Sequence, residues 1–368
     1  MNAPRSNIRN AKREPLSNSQ LLTFISVGIF IIMYLAAILF MGDSGFQKPQ
    51  MLFDLLNDNA MLIIIACALT VVMIGGGINI SVGGVVGLTC MACAKFLESS
   101  GPENVFTCTL LTFLLAMGIG LAFGVVQGAL VSYMEIQPFI VTLAGMFLAR
   151  GLTTILSTNP VKVGAKSAFQ TVAKARIKIP WLGYISQNNN SLIPAKLEIG
   201  AVTALCVVLL VYLMLRYTKL GRNIYAIGGN QGSALTLGIN VKRTRFLSYV
   251  ISGLLSGLAG FVFLMHKPAG NASVAMRGEM DAIASSIIGG TLLTGGVGNV
   301  IGTFFGTMIL ATIQKIIGLS KLNDSWWQDM ASGAMLGFFI ILQSVVLFLR
   351  GKGSLRPSRK AKPGRTSP

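Results

Sequence analysis

Apolar stretches of roughly 15 to 27 residues alternate with polar connections along most of this chain. They cover 21–41, 59–75, 82–97, 106–132, 138–156, 197–215, 246–265, 282–296, 297–318 and 330–349. A helix needs about 20 apolar residues to cross a bilayer, and helices satisfy their own backbone there. The pattern predicts an all-α, polytopic membrane protein of about 10 transmembrane helices, two of its segments being broken by glycine. The first stretch, LLTFISVGIFIIMYLAAILFM, is longer than a signal-peptide core and lacks a small-residue cleavage site, so it reads as a retained span. Just after it, PQMLFDLLNDN predicts a short surface helix. Three regions result: a basic segment 1–20, a membrane domain 21–349 and a basic tail 350–368. The longest polar connections within the membrane domain are 157–196 and 216–245.

Composition agrees. Of 368 residues, 53% are hydrophobic and only 11% charged, against about a quarter charged in soluble domains. Lys+Arg number 30 against 12 Asp+Glu, a net charge of +18. No zinc pattern or basic aromatic face accompanies that excess, which argues against nucleic acid; cytoplasmic loops of a membrane protein account for it. Cys67, Cys90, Cys93, Cys108 and Cys206 all fall in or beside apolar segments, and the CxxC of Cys90 and Cys93 has no second pair or histidine near it. They read as small packing residues. His266 is the sole histidine, so neither a metal site nor a Ser-His-Asp triad is expected.

The charges also orient the chain. Residues 1–20, 216–245 and 350–368 hold 17 of the 30 basic residues, and the rule that cytoplasmic loops are basic puts all three inside. Ten spans would place both termini and the 216–245 loop in the cytoplasm, with 157–196 outside. That outer loop is an exception to the rule, since it carries Lys162, Lys166, Lys174, Arg176, Lys178 and Lys196.

Three motifs stand out. In VVMIGGGINISVGGVVG at 71–87, a triple glycine ends one apolar helix, and Asn79 and Ser81 precede two more glycines. A broken helix beside polar side chains marks a transport pathway, because free backbone groups at membrane depth must face protein or water. The same residues also suit a tight turn with a helix cap. EMDAIASSIIGGTLLTGGVGNVIG at 279–302 repeats the theme, with Asp281 placed to favour a helix N-terminus. In 218–246, the residues from Asn230 to Leu237 form a short helix bounded by Gly228-Gly229 and Gly238, which reads as a docking element for a cytoplasmic partner. Gly118, Gly120, Gly124 and Gly128 are spaced for close helix packing. Arg150 is an unexpected charge within an apolar stretch, paired with a helix end or lining a cavity. No GxxxxGK[ST] occurs, so an ATPase, if one drives transport, is another chain.

GGGINISVGG, IQPFIVTLAGMFLARG, GRNIYAIGGNQGSALTLGINV and EMDAIASSIIGGTLLTGGVGNVIGT together resemble the membrane permeases of ribose/galactose-type ABC sugar importers, over about residues 20–350. The resemblance implies a bacterial inner-membrane importer subunit that is no enzyme itself and binds no cofactor. ATP and Mg would sit on a cytoplasmic ATP-binding subunit. The other partners implied are an extracytoplasmic substrate-binding protein and a second permease copy. By resemblance, the substrate pathway falls on Gly76, Gly77, Asn79, Ser81, Gly83 and Asp281, and ATPase coupling on Arg222, Gly228, Gly229, Asn230 and Gly238. The family usually has Asp where this chain has Asn79. The solute expected is small and neutral, most of all a monosaccharide; permeases for nucleosides or branched-chain amino acids are the near alternatives. An ion-coupled transporter or channel would want intramembrane carboxylates or histidines as coupling sites, and the acids here lie in loops or at segment edges.

Overall fold

The computed structural model describes residues 18–41, 45–164, 167–185, 192–320 and 325–354. Most of the basic segment 1–20 and of the tail 350–368 lies outside them. Helix α1 spans Asn18–Phe40, α2 Gln50–Asp58, α3 Ala60–Ile74, α4 Val82–Ser100, α5 Val105–Ser132 and α6 Pro138–Leu156. The 157–198 connection then folds as strand β1 (Val161–Lys162), helix α7 (Phe169–Ala173) and strands β2 (Arg176–Ile185) and β3 (Leu192–Glu198). Helices α8 (Ile199–Tyr217), α9 (Lys219–Gly229), α10 (Gln231–Thr236) and α11 (Val241–His266) follow. Strand β4 (Ala269–Gly270) leads to α12 (Gly278–Ile288), α13 (Val300–Leu319) and α14 (Ser325–Ser354). The strands form two small antiparallel pairs: β1 with β4, aligning Val161 with Gly270, and β2 with β3, aligning Arg176 with Glu198.

The expected count of about 10 transmembrane helices is overturned. Among the described residues seven helices are long and apolar enough to cross a membrane, or eight if the bent pair α2–α3 counts as one span. The physical reasons are local. Helix α3 has 15 residues and α12 has 11, about 22 and 16 Å at 1.5 Å per residue, against a hydrocarbon core of about 30 Å. Helix α3 completes a span only together with α2, across a 58° bend. Helix α12 stops at Ile288 because Gly290, Gly295 and Gly296 turn the chain with positive φ. Helix α14 is not among the seven counted over the described residues.

Helices α3, α4 and α11 form the interior. Helix α3 is buried along nearly its whole length, whereas α1, α5, α6 and α8 turn Phe, Leu and Ile side chains such as Phe40, Phe106, Ile155 and Leu210 outward. An apolar exterior around a tightly packed interior suits lipid. Helices α5 and α11 meet backbone to backbone. A Cβ on Gly120 would overlap the Gly253 carbonyl, one on Gly257 would overlap the Ala116 carbonyl, and one on Gly124 would lie 2.9 Å from the Tyr249 carbonyl. Gly128 is similarly crowded, whereas Gly118 faces open space and plays no part in the seam. Cys67, Cys90, Cys93 and Cys108 are buried and Cys206 is exposed, all as free thiols.

Candidate transport path and coupling junction

Between α3 and α4 the chain leaves helical geometry at Gly75 and regains it at Val82, with Gly76 at φ +78°. Side chains supply the hydrogen bonds that a helix would otherwise make. The Ile78 carbonyl accepts from the Tyr249 hydroxyl at 3.2 Å and the Thr142 hydroxyl at 3.5 Å. Asn79 Nδ2 donates to Ser252 Oγ at 3.0 Å, and its Oδ1 accepts from the Ser81 amide at 3.1 Å. The Ser81 hydroxyl lies 2.7 Å from Asn79 Oδ1 and 2.9 Å from Gln127 Oε1, and its one proton serves one oxygen at a time. Asn79 and Ser81 are each 1% exposed. They staple the unwound segment inside the bundle. Ser81 is the N-cap residue of α4, but its side chain makes no cap hydrogen bond. Gln127 and Ser252 complete this cluster and were not legible as partners, since nothing local in the sequence joins 79 to 127 or 252.

The glycines that open α4 make room for an ion pair. A Cβ on Gly83 would overlap Glu279 Oε2, and one on Gly87 would lie 3.2 Å from Arg150 Nη1. Arg150 donates to the carbonyls of Val274 and Ala275, both at 2.6 Å, and its Nη2 lies 3.7 Å from Glu279 Oε2. The guanidinium thus satisfies two carbonyls of the irregular stretch before α12, where Ala275 and Arg277 have φ of +50° and +65°. That answers both sequence readings of Arg150: it pairs with the start of a helix. Sequence reasoning missed Glu279, although an acid in a helix's first turn is a readable signal. Asp281, also in that first turn, lies near Gln314, while Arg277 pairs with Asp329.

At one end of the bundle the second and third motifs meet the first. Helix α9 is capped by Thr218, which accepts from the Gly221 amide at 3.2 Å, and α10 by Asn230, which accepts from the Ser233 amide at 2.9 Å. Gly238 follows at φ +76°, and Asn240 caps α11. Gly228 lies directly against the end of α3: a Cβ there would overlap the Ile74 carbonyl. The Gly296 amide donates to that same carbonyl at 2.8 Å. A Cβ on Gly295 would lie 2.9 Å from Gly76 Cα, and one on Gly296 2.7 Å from Gly229 Cα. Tyr225 on α9 donates its hydroxyl to the Gly298 carbonyl at 2.8 Å. Gly76, Gly228, Gly229, Gly295 and Gly296 therefore form one backbone junction between α9 and both glycine breaks. Gly77 is set apart, against the Tyr249 hydroxyl. Arg222 and Asn230 are exposed beside the junction. A cavity of about 610 Å³ separates α10 from the α5–α6 turn, where Lys242 pairs with Glu135 at 2.9 Å and holds its carboxyl below the usual range.

The amino-acid sequence matches known proteins. The family model described as "Branched-chain amino acid transport system / permease component" matches residues 51–340. The chain belongs to this permease family. It is 37% identical, over 92% of its length and 95% of the relative's, to the inner membrane ABC transporter permease protein YjfF of Escherichia coli K12. It is 33% identical to the fructose import permease protein FruG of Bifidobacterium longum, over 91% of this chain and 94% of that one. For the ribose import permease protein RbsC of Bacillus subtilis the identity is 31%, over 86% and 90%. The chain is accordingly a multi-pass membrane permease, a transport component and not an ATPase.

Proposed function

We propose that this permease imports a monosaccharide as one subunit of an ATP-binding-cassette importer. Sugar-import permeases match it along nearly their full length. The observation that carries the mechanism is the glycine junction. Helix α9 and the short helix α10 sit on a basic end, and Gly228 and Gly229 contact the turns that follow α3 and α12 with no side chain between. A rigid push on α9–α10 is then transmitted to both breaks, because close-packed backbone has no compliant side chains to absorb it.

In this reading the 216–245 end and both termini are cytoplasmic, and a separate ATP-binding subunit with ATP and Mg docks on α10. Arg222, Gly228, Gly229, Asn230 and Gly238 form the coupling element. The opposite end faces a substrate-binding protein, and a second permease copy completes the path. Gly76, Gly77, Gly83 and Asp281 belong to the segments that move, and Asn79 and Ser81 hold the first of them together. The membrane is the bacterial inner membrane.

The test is reconstitution with the ATPase and binding protein of the same system, followed by uptake of labelled D-ribose, D-galactose and D-fructose. ATP-dependent accumulation of one of them is expected. Uptake of none, with ATP hydrolysis intact, would overturn the sugar assignment.

A further inference from the structure

At the end opposite the glycine junction, a polar cleft of about 340 Å³ lies between the α2–α3 bend, the last turns of α13 and the first turn of α14. Its polar lining is Asp58, Asn59, Gln314, Lys315 and Gln328. We propose that this cleft is a binding site for one monosaccharide-sized, uncharged polyhydroxylated solute, occupied on the way to the transport path. The proposal rests on the importer reading above and adds a solute site on the permease itself.

The volume falls within the range of small-molecule sites, about 300–1,000 Å³. The charges in the cleft cancel: Lys315 Nζ lies 2.9 Å from Asp58 Oδ2, and His266 Nε2 approaches Asp58 Oδ1 to 3.8 Å. An ion gains little from a site whose charges are already paired. What remains is neutral hydrogen-bonding capacity. Asn59 donates to the Leu55 carbonyl at 3.0 Å, and among the described residues no donor reaches its amide oxygen. No protein hydrogen bond to the Gln328 amide is found among the described residues, and Gly318 packs beside it, so that a Cβ there would lie in van der Waals contact with Nε2 at 3.6 Å.

Amides and a paired carboxylate present donors and acceptors together, the combination that hydroxyl groups need because each both donates and accepts. Ala311 and Leu319 add an apolar wall for the C–H face of a ring. Gln314 places the site beside the moving parts: its amide reaches Ser332 Oγ at 3.4 Å, and it lies near Asp281 in the first turn of α12. A solute that engages Gln314 therefore acts on the helix that leads down to the junction.

The experiment uses saturation-transfer NMR on the full chain in lipid nanodiscs, with D-ribose, D-galactose and D-fructose as probes, alongside uptake by the reconstituted importer. One of the three is expected to show saturation transfer. Gln328→Leu should reduce that signal, and the uptake rate at limiting loaded binding protein, by about fivefold, the effect of losing one hydrogen bond to ligand. Gln314→Met should do the same independently, and membrane levels of each variant control for folding. An importer that takes up a sugar with wild-type kinetics in both variants would overturn the cleft and leave the importer reading standing. Cleft-dependent saturation transfer without uptake of any sugar would support the site and overturn the importer reading.

Discussion

Asn79 carries more structure than its place in a glycine-rich turn suggests. Its amide group bonds Ser252 on one side and Ser81 on the other, all within the interior. Replacing it by Leu leaves the Ser81 amide and the Ser252 hydroxyl short of a partner, while the Ser81 hydroxyl keeps Gln127, at a cost of about 1–3 kcal/mol for each buried group left unpaired. Asn79→Leu should lower the thermal midpoint of the solubilised protein along with transport. A variant of wild-type thermal stability that still loses transport would return Asn79 to a direct role on the path. Arg150 poses the sharper case, since Arg150→Leu strands two carbonyls and Glu279 together. Breaking a buried pair from one side costs about 3–5 kcal/mol, so the expected outcome is a large fall in the thermal midpoint. Arg150→Leu with Glu279→Leu should recover part of that fall, and a double variant no better than the single one would deny any coupling between the two groups. The side-chain types at 79, 150 and 281 were legible in the sequence as polar groups among apolar ones. Their partners Ser252, Glu279 and Gln314 were not, because each lies 33 to 173 positions away and pairing at such range is decided by packing.

Among the elements, hydropathy read seven spans that the structure keeps, and glycine read where other segments break. The helix from Asn230 to Leu237 was expected between its bounding glycines, and α10 occupies Gln231–Thr236 there. Hydropathy over 282–296 suggested a span, but the paired glycines that made this stretch conspicuous are what end α12 after 11 residues. Spacing also could not tell Gly118 from Gly120, since only the partner helix decides which of them faces it. The junction makes the same distinction testable. A Cβ on Gly228 overlaps the Ile74 carbonyl, whereas one on Gly229 meets nothing within 4 Å. Gly228→Val should abolish sugar uptake while ATP hydrolysis by the assembled complex continues, and Gly229→Ala should transport at close to the wild-type rate. Equal behaviour of the two variants in the reconstituted uptake assay would show that transmission does not run through that contact.

At the scale of the whole molecule the two ends are built differently. One end gathers α9, α10 and the basic start of α11, with Glu135 on Lys242. The other carries the β2–β3 pair and a chain of polar contacts from Arg176 through Glu198 and His266 to Asp58 and Lys315. Both ends are rich in cations, so the basic-loop rule alone does not decide the orientation; the 157–196 region violates it if it faces outward. At 40 residues it is short enough for the rule to apply, which counts loops of up to about 60, so in that orientation it is an exception to the rule. Here Lys196 is fixed to α2, its backbone accepting from Asn57 and donating to Gln50, and Glu198 offsets Arg176 at 3.0 Å. The orientation is then open to a direct check with cysteine labels at exposed positions on the two ends, Lys178→Cys on β2 and Leu235→Cys on α10. In intact cells whose outer barrier has been removed, a membrane-impermeant maleimide should label position 178 and spare 235. Inverted vesicles should reverse that pattern. Labelling of 235 from outside would turn the molecule over and put α10 out of reach of any cytoplasmic ATPase, so this one measurement bears on the coupling mechanism as well as on topology.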